Sequence, residues 1–474
     1  VTGARDIAGV FHFRCLSCNR SGASLASIIA AKLTHPYCSQ QQEMIWRPQT
    51  TRSKVMVAIA SILATLFITL LVVNFSSGEK QIKQEIPRLY AVSDPQFQRS
   101  MGVMLGPQIV DGNKVEALLN GDQIFPAMLK AIRGAKKTIN FETYIYWSED
   151  IGREFAEALS ERARAGVKVH LLIDWVGSAK MDEKDLEQMR QAGVEVRQYH
   201  PLRWYNLGRI NNRTHRKLLV VDGRVGFTGG VGIAGQWTGN AQDPDHWRDS
   251  HFRAEGPVVA QMQAVLIDNW TKTTGKVLHG DDYFPPQARP GTARAQVFSS
   301  SPSGGSESMH LMYLLAITAA ERNIQISASY FVPDEMTRNA LIDAMKRGVR
   351  LQIILPGENI DTETVRSSSR GMWGELLQAG AEISEYQPTM FHCKVMIVDA
   401  LLVSVGSTNF DDRSFQMNDE ANLNIYDASF ARQQIAIFEQ DLKKARRITY
   451  EQWLDRPLKE KAWEKVASWL GPLL

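Results

Sequence analysis

HRKLLVVDGRVGFTGG (215–230) and HCKVMIVDALLVSVGS (392–407) decide how this chain is read. Both fit His-x-Lys-x4-Asp, first as His215, Lys217 and Asp222, then as His392, Lys394 and Asp399. Seven residues after each Asp comes a small-residue turn, Gly229-Gly230 in one copy and Gly406-Ser407 in the other. One such run occurs by chance in any long chain. Two with the same spacing and matching tails point to one active site assembled from two halves, each giving a histidine and a lysine to a phosphate-centred reaction.

The β-branched runs LLVVDG and VMIVD favour strands, so each His and Lys stands at the start of one. Side chains alternate faces along a strand, which points His215 with Lys217, and His392 with Lys394, the same way. Cys393 then faces oppositely and reads as a packing residue rather than a nucleophile. An imidazole can attack phosphorus or pass a proton near neutral pH. Two lysines supply fixed positive charge for the non-bridging oxygens. Charge neutralisation then needs no metal and no cofactor, and the sequence shows no carboxylate cluster that plainly holds a metal. Taken singly, each residue also has a plain structural reading. Asp222-Gly223 is a hairpin-turn signal, although Ala400 after Asp399 weakens that explanation for the second copy.

The repeat runs beyond the motifs. AIRGAKKTINFETYIY (131–146) parallels AITAAERNIQISASYF (316–331), GVKVHLLID (166–174) parallels GVRLQIILP (348–356), and AGVEVRQY (192–199) parallels AGAEISEY (379–386). The offsets are 185, 182 and 187, against 177 for the histidines, so a whole domain is duplicated. Each copy alternates helix and strand in the rhythm of an α/β sheet. The expected organisation is a first domain over 110–270, a Gly/Pro/Ser-rich joint over 271–308, and a second domain over 309–474.

With 474 residues and a net charge of +3, the chain is long enough for two domains and too balanced to mark a nucleic-acid binder by charge. Val55–Val73 is nineteen residues without a charge and reads as one transmembrane helix; a cleaved signal peptide is the competing reading. Basic residues on both sides of it (Arg47, Arg52 and Lys54; Lys80, Lys83 and Arg88) give no orientation. Residues 1–54 read as an unstructured extension. Cys15, Cys18, His35 and Cys38 within it could be drawn as a zinc site, but a mis-set start or unstructured leader is the simpler account.

At the two motifs the chain resembles the phospholipase D superfamily, marked by His-x-Lys-x4-Asp followed by Gly-Ser-x-Asn. More narrowly it resembles bacterial cardiolipin synthases, through HRKLLVVDGRVGFTGG, HWRDSHFRAEGP, SASYFVPD, FHCKVMIVD, GSTNFDDRSFQMNDEANL and the terminal WLGPLL. The resemblance covers the chain from about residue 110 onward. It implies two α/β domains related by a pseudo-two-fold, with the catalytic pairs at their interface. It implies that His215 and His392 serve as nucleophile and general acid/base, with His215 favoured as nucleophile. Lys217 and Lys394 would hold the phosphate, assisted by Ser407 and Asn409. Asp249 and Glu420 match the acidic residues that orient His215 and His392 through the other ring nitrogen. Asp222 and Asp399 count as motif members but look structural. One departure stands out: Gly232 occupies the position of Asn409.

The implied activity joins two phosphatidylglycerol molecules into cardiolipin and glycerol, in a single-pass protein of the bacterial inner membrane. The partners are a phospholipid substrate and the bilayer, with no nucleic acid. A hydrolase that uses water shares every catalytic residue. A nuclease of the same superfamily is disfavoured by the apolar span, and an inactive binding protein by two intact motifs. Near the C-terminus, Trp453, Leu458, Trp463, Val466, Trp469 and Leu470 fall near helical spacing among lysines. This amphipathic helix can lie at a bilayer or pack on the domain. For Tyr144–Trp147 core packing is the favoured reading, while Trp204-Tyr205 could face acyl chains.

Overall fold

The computed structural model describes residues 51–75, 82, 84–201, 211–302 and 307–469. The Cys15–Cys38 cluster, Trp204-Tyr205 and Leu470 lie outside them. Helix α1 (Thr51–Phe75) contains the expected span, and its Ser53–Val73 stretch is long and apolar enough to cross a membrane. A boundary between two compact units falls inside this helix, and every strand and both motifs belong to the unit Leu66–Leu474.

After α2 (Pro95–Met104), the first copy runs β1 (Val110–Leu119), α3 (Asn120–Gly134), β2 (Thr138–Thr143), α4 (Asp150–Arg164), β3 (Lys168–Asp174), α5 (Glu183–Gln191) and β4 (Glu195–Tyr199). It continues through the two-residue β5 (Arg213–Thr214), β6 (Leu218–Val221), β7 (Val225–Gly229), β8 (Ser250–Glu255) and α6 (Val258–Thr274). The second copy opens with β9 (Ala293–Ser300), α7 (Glu307–Ala319), β10 (Asn323–Ala328), β11 (Phe331–Val332), α8 (Glu335–Lys346), β12 (Arg350–Pro356), α9 (Glu363–Gln378) and β13 (Glu382–Tyr386). It closes with β14 (Lys394–Val398), β15 (Leu402–Gly406), β16 (Phe410–Asp411), α10 (Asp412–Gln416), β17 (Asn418–Tyr426), α11 (Ala428–Leu442), β18 (Ala445–Ile448), α12 (Tyr450–Leu454) and α13 (Leu458–Trp469).

Apart from the separate pair β11–β16, and with β5 joined off the path to β17, the strands form one continuous sheet in the order β18-β13-β12-β10-β14-β15-β17-β9-β1-β8-β7-β6-β2-β3-β4. Apart from the edge strand β18, that order is a palindrome about the antiparallel β9–β1 pair. The duplication is therefore realised as a pseudo-two-fold. It also corrects the joint. The stretch 271–308 contains β9, which pairs with both β1 and β17 at the centre of the sheet, and the last turn of α6. Alternating apolar residues (ARAQVF) carry a buried strand there despite the flanking Gly, Pro and Ser.

Period-two alternation sorts the core. Along β6, Leu219 and Val221 join the cluster under α3, α4 and α5, while Leu218 and Val220 join the one under α6. The second cluster also takes in Val403, Val405 and Leu423 from the other half, so a single apolar layer spans the pseudo-axis. The C-terminal α13 packs by Ala467 and by Glu464, which is ion-paired to Arg456 at 2.6 Å. Leu458, Trp463 and Val466 stay exposed, Trp463 at 51%. The packing reading thus holds for Ala467 and Glu464 and fails for Leu458, Trp463 and Val466.

Candidate active site

Each motif ends in a two-residue turn with both residues at positive φ: Asp222 (52°) with Gly223 (60°), and Asp399 (53°) with Ala400 (53°). The second copy is the same turn with alanine in the glycine place. Each carboxylate then gathers three successive backbone N–H groups. Asp222 accepts from Lys136, Lys137 (2.7 Å) and Thr138, while Asp399 accepts from Glu321, Arg322 and Asn323 at 2.8–3.0 Å. These contacts lie at the far ends of β6 and β14 from the histidines. Asp222 and Asp399, though members of the motif, fasten each hairpin to the strand beside it and do not line the cavity of the histidines.

The histidines and lysines do meet. His215, Lys217 and His392 line one cavity of about 490 Å³, with Asn409 and Asn418 on its wall. Lys217 Nζ donates to the His215 carbonyl at 2.8 Å, and Lys394 Nζ donates to the His392 carbonyl at 3.0 Å. Beyond those bonds the lysines differ. Lys394 Nζ donates to Ser329 Oγ at 2.8 Å, and that hydroxyl donates to Asn409 Oδ1 at 2.7 Å. Lys217 Nζ lies over the Tyr144 ring, 5.6 Å from its centroid.

The acidic partners are exchanged between the halves. His215 Nδ1 stands 2.9 Å from Glu420 Oε1, and His392 Nδ1 stands 2.7 Å from Asp249 Oδ2. Read in chain order, the sequence pairs Asp249 with His215 and Glu420 with His392; the structure crosses them. The backbone enforces this. The His215 N–H donates to the Asp419 carbonyl at 2.9 Å, and the His392 N–H to the Arg248 carbonyl at 2.8 Å. β5 runs parallel to the start of β17, and a bridge joins Arg248 to Phe391 at the symmetric place. With Nδ1 facing a carboxylate, each ring donates there and leaves Nε2 as its acceptor nitrogen, that of His392 standing 3.3 Å from Lys394 Nζ.

Ser407 does not line the cavity. Its hydroxyl donates to Glu420 Oε2 at 2.5 Å and accepts from the Ala421 N–H at 3.0 Å, so it sets the acid rather than holding phosphate. In the first half, Gly230 and Gly232 stand where Ser407 and Asn409 are. A Cβ on Gly230 would lie 2.3 Å from Asp249 Oδ1, and one on Gly232 would lie 3.0 Å from the Trp237 ring. Asp249 thus excludes a side chain at 230, and Ile145 with Trp237 excludes one at 232. The Trp237 indole N–H donates to Asp249 Oδ2 at 3.0 Å, and its ring meets the His392 ring at 5.3 Å. The missing asparagine is thus replaced by an aromatic wall. Tyr144, Ile145 and Trp147 also line the cavity, whereas Tyr146 is core and donates to the Gly152 carbonyl at 2.9 Å.

Burial sets the electrostatics. It lowers the His215 pKa to about 4 against the opposing pull of Glu420, and it lowers that of His392 with help from Lys394. Burial also lowers Lys217 to about 7, with Glu420 resisting, and depresses Lys394. For Asp249 and Glu420 burial alone would raise the pKa, but the facing histidine and lysine hold each below the ordinary carboxylate range. The resting site is two neutral imidazoles braced by two carboxylates. Cys393, on the other face, is pushed up to about 12 by burial and packs against Arg248. Among the described residues no three His, Cys, Asp or Glu gather as a metal site.

Sequence reasoning missed Trp237, Trp247, Ser329, Arg213 and Asn418. Their signal lay in the repeat, at corresponding positions where the two copies carry different residues.

Residues 128–243 and 313–442, together just over half of the chain, match the family described as cardiolipin synthase, PLD-like domain. The chain belongs to the cardiolipin synthase type of phosphatidyltransferase in the phospholipase D superfamily. Among its relatives, a cardiolipin synthase of Geobacillus sp. (strain WCH70) is 36% identical over 364 residues, 76% of this chain and 72% of that one. The major cardiolipin synthase of Bacillus subtilis (strain 168) is 33% identical over 368 residues, 77% of this chain and 76% of that one. A crystal structure of phosphatidylserine synthase from Haemophilus influenzae Rd KW20 superposes with a TM-score of 0.62 at 13% identity. It covers 80% of this chain and 99% of that one, a likeness of fold.

Proposed function

We propose that this phosphatidyltransferase joins two phosphatidylglycerol molecules into cardiolipin and glycerol, through a phosphohistidine, while attached to a membrane by α1. The observation that carries this is the pair of carboxylate-braced histidines sharing one lysine-flanked cavity. One neutral Nε2 attacks the phosphorus of the donor lipid. The other histidine gives its proton to the glycerol oxygen as the P–O bond breaks. An anionic phosphodiester in the cavity favours that imidazolium, offsetting the burial that depresses its pKa. Lys217 and Lys394 stabilise the non-bridging oxygens as charge moves outward. In the second half-reaction the same acid/base histidine takes the proton from the hydroxyl of a second phosphatidylglycerol. That oxygen bonds to phosphorus, and the P–N bond breaks to restore the free imidazole.

The test is incubation of the purified full chain with phosphatidylglycerol, followed by mass analysis. Cardiolipin and glycerol in equal amounts are expected. Phosphatidic acid as the sole lipid product, even with excess glycerol, would make the protein a hydrolase.

A further inference from the structure

Corresponding positions of the repeat flank the two histidines with residues of opposite chemistry. Two residues before His215 stands Arg213, and at the same place before His392 stands Met390. Two residues before Glu420 stands Asn418, and two before Asp249 stands Trp247. Arg213 and Asn418 are register partners in the β5–β17 pairing. At the symmetric place the Arg248 N–H donates to the Met390 carbonyl at 2.9 Å, setting Trp247 beside Met390. The Arg213–Asn418 pair is thus polar where its counterpart Met390–Trp247 is apolar; the His392 imidazole lies 5.3 Å from the rings of both Trp237 and Trp247, and the His215 imidazole 5.3 Å from that of Tyr144.

Arg213 is incomplete. It lines the cavity at 3% exposure, and its guanidinium bond runs from Nη1 to Asp174 Oδ1 at 3.3 Å. That carboxylate is already shared with the N–H groups of Val176, Gly177 and Thr214. Nε and Nη2 have no partner among the described residues, nor has Oδ1 of Asn418. A buried guanidinium with an unmet edge is costly unless a ligand completes it. The Nε–H and Nη2–H edge is the fork that grips two oxygens of one phosphate. An amide oxygen beside it accepts from a hydroxyl. Arg413 adds a second positive charge to the cavity lining, and the Asp411 carboxylate beside it offers an acceptor for a hydroxyl. A phosphate and a hydroxyl a few ångströms apart describe a glycerophosphate.

The geometry points to a second phosphate subsite beside His215, where Arg213 holds the phosphodiester of the acceptor lipid and Asn418 accepts from its glycerol. It rests on phosphatidylglycerol being the acceptor and assigns that lipid its place. It also orders the histidines. The acceptor enters beside His215, so His215 takes the hydroxyl proton. The new oxygen–phosphorus bond forms on that side, and the phosphorus–Nε2 bond that breaks in line with it belongs to His392. This reverses the favoured role of His215 as nucleophile.

Free glycerol carries no phosphate, so exchange of labelled glycerol into phosphatidylglycerol runs the chemistry without the subsite. Arg213→Met installs the residue of the symmetric position. Cardiolipin formation is expected to fall about 10- to 100-fold, the loss of a charge-assisted contact, while glycerol exchange falls far less. Equal losses in both reactions, or no loss in either, would overturn the subsite. The order of the histidines has its own test, independent of Arg213→Met. A phosphatidyl ester of p-nitrophenol needs no acid to leave. In a single turnover His215→Ala should still release p-nitrophenol and His392→Ala should not; the reverse pattern overturns the assignment. Wild-type enzyme that exchanges glycerol but forms no cardiolipin would instead remove the acceptor, and with it the proposed function.

Discussion

Glu420, from the second half of the chain, holds Nδ1 of His215, from the first, at 2.9 Å. Asp249 returns the arrangement to His392. Each half thus supplies the ring for one catalytic unit and the brace for the other, and neither half contains a complete histidine–acid pair. Glu420→Gln keeps the shape and removes the charge that fixes the His215 tautomer. We expect kcat to fall by roughly two to four orders of magnitude with KM little changed. Nitrogen NMR of the imidazoles should show the Nδ1–H signal of His215 disturbed and that of His392 retained. A response confined to His392 would mean that the pairing runs within halves.

The motif aspartates make the opposite prediction. Asp399→Ala leaves three N–H groups at the start of β10 without their acceptor and should cost about 2–4 kcal/mol of stability. Asp222 is less buried, and Asp222→Ala should cost about 1–2 kcal/mol. In both variants the activity per folded molecule should stay near that of the wild type. Denaturant unfolding beside kcat per folded enzyme checks this, and a large kcat loss without destabilisation would return the aspartates to the site. The turns extend the argument: Ala400→Gly relieves a left-handed alanine and should stabilise by about 0.5–1 kcal/mol. Gly223→Ala should destabilise, because its Cβ would lie 2.4 Å from the Tyr283 carbonyl oxygen.

What the sequence disclosed is what repeats. Spacing and alternation revealed both motifs, the duplicated α/β units and the common direction of each His and Lys, because local periodicity encodes all of these. It did not reveal that β9 is central, since the Pro and Gly around it are also what a linker looks like. It could not reveal the exchange of Asp249 and Glu420. That exchange depends on β5 meeting β17 across the pseudo-axis, a contact more than two hundred residues apart in the chain. Ser407 is a related case: its place in the motif suits phosphate, while its hydroxyl donates to Glu420 across the strand.

Lys217 gives the pH profile a direction. Burial has brought its pKa down to about 7, so in free enzyme it loses its proton as pH rises through neutrality. A neutral amine holds phosphate poorly, so kcat/KM should decline on the alkaline side. The acid limb should lie well below neutral, because His215 stays deprotonated down to about 4. Lys217→Arg keeps its charge throughout and should move the alkaline limb upward even if the maximal rate is lower. An alkaline limb that is unchanged in Lys217→Arg would assign it to another group.

Two lysines beside two histidines provide the charge that a cation would otherwise supply. The purified enzyme should therefore retain its activity in EDTA. Silencing by the chelator with recovery on adding one divalent metal would show that the lysines do not suffice.

Behind His215 lies a carboxyl that the reaction does not use. Glu142 is fully buried, accepts from Thr214 Oγ1 at 2.5 Å and from Asn269 Nδ2 at 2.7 Å, and has Oε2 unpartnered among the described residues. Burial raises its pKa from 4.5 to about 7, outweighing the pull of Arg216. An acid whose folded pKa exceeds its unfolded value binds more protons when native, so it lowers stability as pH rises. The loss starts near the unfolded value of 4.5, is complete by about 7, and amounts to about 3 kcal/mol. Glu142→Gln cannot ionise and should lose that pH dependence while keeping the acceptor for Thr214. Thermal unfolding of both proteins across this window tests the point. The wild type should lose stability relative to the variant as pH rises, and parallel curves would mean that Glu142 is not buried as its neutral acid.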